Sequence, residues 1–145
     1  HLQMTTLHPP AGRVVHGNAA SCVMLLTIGS RHLLLTGDIE SDVERELLQD
    51  GSLLRADAVV VPHHGSSTSS SAAFVRALMP RLAIVPAGAN NRWGFPHRDV
   101  VDRWRAVGAE VLSTAESGAV TLRLCKKGGI VAIRQQRSNA LAATD

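Results

Sequence analysis

The feature that most constrains this chain is the stretch at residues 58–71, where a short apolar run ends abruptly in a polar turn. Residues 58–61 are Ala and Val, and the tetrapeptide Pro-His-His-Gly follows at residues 62–65. A β-branched apolar run that stops at Pro and Gly predicts a buried strand that breaks into a loop. Imidazoles at the mouth of such a strand lie where α/β proteins keep their chemistry. We therefore expect the functional site here.

The composition is that of one globular domain with few aromatic rings. Of 145 residues, 45% are hydrophobic and 19% are charged, which permits a core and argues against disorder. Aromatic residues make up only 3% and Tyr is absent, which argues against an aromatic platform for stacking nucleobases. The net charge of +3 fits an anionic partner and ordinary solubility equally well. The two cysteines lack CxxC spacing, and we expect buried free thiols.

The order of the predicted elements indicates a layered α/β domain. Residues 22–28 and 31–35 form a predicted hairpin, because Gly first in a two-residue link favours a type II′ turn. Strands then alternate with helices, and a second hairpin follows. These elements are a helix from residue 41 to a stop at residue 51, strand 58–61, helix 72–78, strand 82–85, helix 99–107, and strands 110–113, 119–124 and 130–134. We expect one domain over residues 1–134 and a disordered tail over residues 135–145.

Serine residues are predicted to start two of the helices. Ser41 followed by Glu44 matches a capping box, in which the Glu side chain returns to the backbone at the start of its own helix. One of the last serines in the run at residues 66–71 caps the next helix. The rest of this run is expected to be a solvated loop, with phosphate binding by Ser66 and Ser67 as the alternative.

Asp38 and two histidines are the candidate metal ligands. Asp38 ends a Thr-Gly-Asp sequence at the exit of a predicted strand, and carboxylate and imidazole groups are preferred ligands of Zn²⁺ and Mn²⁺. Neighbouring side chains of extended backbone point to opposite sides, so His63 and His64 should not bind one ion in the same way. Sequence alone does not separate their roles. A helix cap at Asp38 is an equal alternative to a metal ligand.

A loop of ten residues at positions 88–97 exceeds the usual link of about 2–6 residues in α/β units. His97 either begins the next helix or contacts a phosphate and gives a proton to a leaving group. Arg92 and Trp93 would meet a nucleotide by charge and stacking, but packing of Trp93 beneath its own loop is the stronger expectation. A serine hydrolase is disfavoured, because no Gly-x-Ser-x-Gly elbow occurs.

Three segments in this order resemble the metallo-β-lactamase-like domain of ComEC, the bacterial DNA-uptake competence protein. They read LLLTGDIE, ADAVVVPHHGSSTSSS and AGANNRWGFPHRDVV, and the match runs from about residue 7 to residue 124. The resemblance implies a four-layer αββα sandwich, of which this chain is the C-terminal half, with two divalent ions, Zn or Mn, at the strand ends. Asp38 matches the bridging carboxylate, and we assign His64 as the further ligand. Asn18 and Ser21 match a polar segment near the site.

The resemblance also implies a function. We expect metal-dependent phosphodiester hydrolysis of DNA during natural competence, in a bacterial inner-membrane protein whose soluble domain faces the periplasm. His63 and His97 would be catalytic, and Ser66, Asn90 and Arg92 would contact the substrate. The expected partners are DNA, single-stranded or duplex, and the membrane channel portion of the parent protein. No lipid contact is expected, because no apolar run approaches the roughly 20 residues of a membrane span.

One departure from the family pattern limits what this chain is expected to do alone. The His-x-His-x-Asp-His motif of the family is absent, so most metal ligands would come from a preceding half-domain. A catalytic zinc site uses three protein ligands, and we therefore expect this segment alone to be inactive. Two alternatives stand beside the nuclease. One is a metallo-hydrolase of small phosphoesters or lactones, and the other is a non-catalytic module that binds DNA or a protein partner.

Overall fold

A six-stranded mixed sheet organises the molecule. The computed structural model describes residues 1–51, 53, 55–125 and 129–134. The strands lie side by side in chain order: β1 (Leu2–His8), β2 (Val23–Ile28), β3 (Arg31–Leu35), β4 (Ala58–Val60), β5 (Leu82–Val85) and β6 (Glu110–Ser113). Strands β1 to β3 are antiparallel neighbours, whereas β3 to β6 are parallel. The carboxyl ends of β3, β4 and β5 therefore open at one edge of the sheet.

Helices and a small second sheet complete the described chain. The helices are α1 (Ser41–Gln49), α2 (Ala72–Leu78), α3 (Arg98–Ala106) and α4 (Thr114–Ser117). Strands β7 (Val120–Cys125) and β8 (Gly129–Arg134) form an antiparallel hairpin. Within the described ranges, no helix combines the length and the apolar character that a membrane crossing requires.

Alternating side chains along the strands divide the core between the two faces of the large sheet. On β3, Leu34 faces the helices while Leu33 faces the hairpin of β7 and β8. The helix face is closed by buried side chains of α1, α2 and α3, namely Val43, Leu47, Phe74, Val75, Leu78, Val100 and Trp104. On the opposite face, Ala58 and Ile84 pack with the partly buried Leu122 of β7. The described residues thus form three layers in the order helices, large sheet and small sheet.

Most predicted elements are confirmed, with small shifts at their ends. The bounds of β3, α2, β5 and β6 are those expected, and Gly29 has the positive φ of 62° that a type II′ turn needs at its first central position. Helix α4 was missed, because four residues are too few to show a helical period. Cys22 is exposed rather than buried. The predictions of a buried thiol at Cys125 and of a disordered tail at residues 135–145 concern a side chain and a segment that the structure does not describe.

The predicted capping box at Ser41 and Glu44 is wrong. Glu40 precedes the first turn of α1, and the Ser41 N–H donates to the Thr68 carbonyl at 3.0 Å. Glu44 is instead fully buried, and its carboxylate accepts from the backbone N–H groups of Ser70 and Ser71 at 2.5 and 2.7 Å. Burial raises the pKa of Glu44, although these hydrogen bonds oppose the shift. The Glu44 side chain therefore binds the backbone just before α2 rather than the start of its own helix.

The serine run is not the solvated loop that the sequence suggested. Ser66, Ser69 and Ser70 are buried. The Ser69 hydroxyl donates to the Pro62 carbonyl at 2.9 Å, and the Trp104 Nε1–H donates to Ser70 Oγ at 3.2 Å. The expected cap is present, since the Ser71 side chain accepts from a backbone N–H in the first turn of α2. These bonds make the run a rigid support for the turn that precedes it.

Glu44→Ala is expected to lower the free energy of unfolding by about 2–4 kcal/mol, because a buried N–H without an acceptor costs about 1–3 kcal/mol. Chemical denaturation measures this change. Arg45→Ala is the matched control, because Arg45 is an exposed residue of the same helix, and its effect should stay within about 0.5 kcal/mol. Equal effects of the two substitutions would contradict the assigned role of Glu44.

Asp57 ties the first hairpin to β4 at the end of the sheet away from the strand exits. Its Oδ1 accepts from Arg31 at 2.8 Å, and its Oδ2 accepts from the His32 N–H at 2.9 Å. Partial burial alone would raise the pKa of Asp57, but the hydrogen bonds from His32 and Arg31 lower it below the usual 3.8. The carboxylate is therefore stabilised in its ionised form.

This lowered pKa predicts a pH dependence of stability. Ionised Asp57 stabilises the fold above its unfolded-state pKa of 3.8, and this contribution is lost as the pH falls through the lower folded-state value. Asp57→Asn should therefore cost stability at pH 7 and much less below the folded-state value. Urea denaturation of both proteins at a series of pH values from 7 downward checks this, and a penalty that does not shrink as the pH falls would refute it.

Candidate active site

The exits of β3, β4 and β5 surround a cavity of about 590 Å³. The residues that the sequence singled out at the first two exits, Asp38, His63 and His64, line it together. The chain after β5 closes the cavity with residues 86–88 and with the side chains of Asn91, Trp93 and Phe95. Parallel strand order explains this convergence, because neighbouring parallel strands end at the same edge of the sheet.

The two histidines lie in a left-handed turn, Pro62–Gly65, rather than in extended backbone. His63, His64 and Gly65 have φ angles of 47°, 56° and 82°. Such conformations cost non-glycine residues of order 1–3 kcal/mol and concentrate at functional sites. The premise that the two side chains alternate as on a strand is therefore wrong, yet the rings still diverge, with planes 65° apart.

Gly65 permits a close approach between this turn and the loop after β5. A Cβ atom on Gly65 would lie 2.6 Å from the Pro96 Cβ, and its φ of 82° would strain any other residue. The Gly65 carbonyl accepts from the His97 N–H at 2.9 Å. On the other side, the His63 N–H donates to the Gly37 carbonyl at 3.1 Å. The turn is thus bonded to the segments on both sides.

A backbone carbonyl orients the His64 ring. Its Nδ1 lies 2.7 Å from the Pro86 carbonyl oxygen, which can only accept, so Nδ1–H is the donor and Nε2 is the nitrogen left to face the cavity. Nε2 lies 3.4 Å from Asp38 Oδ1, and both side chains are 44% exposed. A backbone carbonyl on the outer nitrogen is the usual support of a metal-binding imidazole. This geometry favours His64 over His63 as the ligand, a choice that the residues alone left open.

His63 faces a carboxylate that sequence reasoning missed. Its buried Nδ1 lies 3.1 Å from Glu40 Oε1, without hydrogen-bond geometry to any residue of the described chain. The same Glu40 oxygen accepts from Asn18 Nδ2 at 3.2 Å and from Thr68 Oγ1 at 2.9 Å. Glu40 follows Asp38 by two residues, and that spacing was the available signal. A Glu just before a helix looks like an ordinary helix-start residue.

The other predicted substrate contacts lie away from the cavity wall. Ser66 is buried and its hydroxyl is 3.0 Å from Thr68 Oγ1. Asn90 and Arg92 are exposed on the loop, and His97 lies under it with its ring 5.6 Å from that of Phe95. None of these four side chains lines the cavity. Their assigned roles remain predictions.

Asn91 holds the loop over the cavity, a role that the sequence did not reveal. Its Oδ1 accepts from the Phe95 N–H at 2.8 Å, and its Nδ2 donates to the Phe95 and Gly88 carbonyls at 2.7 and 2.9 Å. Three bonds from one side chain close residues 88–95 into a compact loop. These bonds hold the backbone of the loop that carries Trp93 and Phe95.

Known proteins are similar in sequence to this chain over most of its length. The chain is 33% identical over 91% of its length to ComE operon protein 3 of Bacillus subtilis, and 36% identical over 88% to competence protein ComA of Neisseria gonorrhoeae. Recombination protein 2 of Haemophilus influenzae is 37% identical over 83% of the chain. The predicted resemblance to the ComEC family is confirmed. No protein-family model matches the chain. The ComEC-like segment spans less than a fifth of each relative, at 17%, 18% and 15% of their lengths.

Two side chains of the ComEC-like segment have donor atoms of the kind that a metal ion takes. Asp38 and His64 offer an oxygen and a nitrogen donor side by side, and the outer nitrogen of the imidazole is already bonded. Among the described residues, no group of three or more His, Cys, Asp or Glu side chains is placed to hold an ion. A catalytic zinc site uses three protein ligands. The donor chemistry therefore fits a metal ion, while the number of donors requires further ligands.

Gly65→Ala in this ComEC-like segment is expected to lower the free energy of unfolding by about 2–4 kcal/mol, because the new Cβ adds a clash to the strain of a positive φ. Gly12→Ala is the control, since Gly12 has a similar φ of 79° with nothing within 4 Å, and it should cost about 1 kcal/mol. Denaturant titration of both variants separates strain from clash. Equal decreases in the free energy of unfolding would show that the close approach of Gly65 to Pro96 does not contribute to stability.

Proposed function

We propose that this segment forms one wall of a metal-dependent phosphodiesterase site that acts on DNA during natural competence. The observation that carries the proposal is the Asp38–His64 pair at the exits of adjacent parallel strands, with the His64 ring held by the Pro86 carbonyl. The names of the similar proteins support this biological context, since one is a competence protein, one a ComE operon protein and one a recombination protein.

The residues divide into those that would hold metal and those that would face the substrate. Asp38 would bridge two divalent ions, Zn or Mn, and His64 Nε2 would bind one of them. When bound, such ions lower the pKa of a water and neutralise charge on a phosphate. His63 lines the same cavity and would contact the phosphate or the leaving oxygen, and its Nδ1 lies 3.1 Å from Glu40 Oε1. The remaining ligands would come from parts of the parent protein outside this chain.

The same proposal completes the fold as a four-layer αββα sandwich. Leu2 and Met4 of β1 are 54% and 58% exposed. Met4 is paired with Leu26, so it belongs to the sheet face that carries the β7–β8 hairpin. Exposed apolar side chains on this face are the surface that a further sheet of the parent domain would cover. An experimental structure of the intact protein with Met4 still in solvent would contradict this.

Asp38→Ala in the intact protein is expected to reduce Mn²⁺- or Zn²⁺-dependent cleavage of a labelled oligonucleotide by more than about 100-fold, because loss of a second-shell partner alone costs about 10–100-fold. His64→Ala should do the same. Asp102→Ala is the matched control, because this carboxylate is exposed on α3 and its ion pairs are long, at 3.9 Å. Cleavage that survives in the Asp38 variant would end the proposal.

The alternatives are separated by the same assay. A metallo-hydrolase of small phosphoesters or lactones predicts turnover of small esters that excess DNA does not inhibit. A non-catalytic module predicts DNA or partner binding with no metal-dependent cleavage.

Contact with the membrane channel portion of the parent and a position on the periplasmic side of the inner membrane remain predictions. Protease accessibility in spheroplasts checks the second of these.

A further inference from the structure

The loop over the cavity presents an exposed tryptophan. Trp93 is 59% exposed, so the expectation that it packs beneath its own loop is wrong. The other tryptophan, Trp104, is fully buried in the core with its N–H bonded to Ser70. Tryptophan is highly buried on average, and an exposed one beside a cavity marks an interaction surface more often than a packing position.

Trp93 is the outer end of a series of nearly parallel rings that leads to the site. The planes of Trp93 and Phe95 are 15° apart with centroids 6.3 Å apart, and those of Phe95 and His64 are 23° and 6.4 Å apart. The series therefore runs from solvent to the imidazole that faces Asp38. Low aromatic content argued against a stacking platform, but two of the four Phe and Trp residues are concentrated here.

The positively charged side chain of Arg92 lies over the Trp93 ring. The Arg92 guanidinium carbon lies over Trp93, 4.6 Å from the ring centroid. Arginine on an aromatic face combines a stacking surface with a positive charge, and its exposed side chain can turn from the ring to a nearby phosphate. A planar ring next to a mobile cation matches the two parts of a nucleotide, the base and the phosphate.

We infer that Trp93 stacks an unpaired nucleobase of DNA while Arg92 binds an adjacent phosphate, a specificity element that rests on the proposed function. Trp93, Phe95 and His64 all line the cavity of about 590 Å³, so a base stacked on Trp93 would lie beside Asp38 and His64. In a duplex both faces of an interior base are already stacked, so only a single strand or an extruded base can offer a free face to Trp93. The site therefore selects strands with unpaired bases.

The test is equilibrium binding of the intact protein to labelled oligonucleotides in EDTA, which removes divalent ions and prevents cleavage. Three probes of equal length are compared: a single strand, an abasic sugar-phosphate strand and a duplex. The wild type should bind the single strand about 10-fold more tightly than the abasic strand, the scale of base–aromatic stacking. Trp93→Ala should abolish this preference, and Trp93→Phe should retain most of it.

Charge and control variants complete the design. Arg92→Ala should keep the base preference but reduce the slope of log affinity against log salt by about 1, the effect of one lost phosphate contact. Val14→Ala is the control for an exposed apolar side chain, since Val14 is 80% exposed, and it should change neither quantity. The abasic probe carries the same phosphates, so stacking and charge are read independently.

Failure of this inference is distinguishable from failure of the proposed function. If the base preference depends on Trp93 and the protein does not cleave DNA, base stacking on Trp93 is supported and the proposed nuclease activity is refuted. If the protein cleaves DNA but Trp93→Ala lowers the affinity for the single strand and the abasic strand equally, or changes neither, only base stacking on Trp93 is refuted. Tightest binding to the duplex, or no binding to any probe, also overturns it, and a protein ligand on Trp93 would then be the remaining explanation.

Discussion

The left-handed turn Pro62–Gly65 is the constraint on which the site depends. Its strained histidines keep their positions because the turn is bonded on both sides: the Gly37 carbonyl accepts from it, and the His97 N–H donates to it. Gly65 adds the close contact with Pro96 that no larger residue would allow. These contacts link the exits of β3 and β4 to the loop after β5. A set of side chains held this way is preorganised, which lowers the entropic cost of forming a site.

Support for the turn comes from buried polar groups beneath it. The Glu44 carboxylate accepts two N–H groups of the serine run, the Arg103 guanidinium donates to the carbonyls of Ser69 and Ser70, and the Trp104 N–H donates to the Ser70 hydroxyl. Helices α1 and α3 thus hold the backbone between the turn and α2. A buried polar network of this kind rigidifies when every member is satisfied, and it specifies one arrangement of the loop.

Sequence reasoning identified which residues meet but not how they are oriented. Asp38, His63 and His64 were placed at strand exits from apolar runs and turn residues, and parallel pairing then made them neighbours. The two imidazoles differ in their neighbours, the Pro86 carbonyl for His64 and Glu40 for His63, which lie 22 and 23 positions away in the chain. Asn91 and the exposed face of Trp93 were likewise invisible, because no local pattern reports which side of a loop faces a cavity.

The amino-acid sequence by itself determined the α/β class, the order of strands and helices, and the ComEC resemblance, since apolar periodicity, turn residues and motifs are local properties. It also placed a serine cap before α2 and the Gly29 turn. Tertiary structure decided the rest. The Glu44 carboxylate accepts from the backbone before α2 instead of capping its own helix, much of the serine run is buried, and Trp93 is exposed. Each of these depends on partners far away in the chain, and the free energy of burying or satisfying a polar group is set by those partners rather than by sequence neighbours.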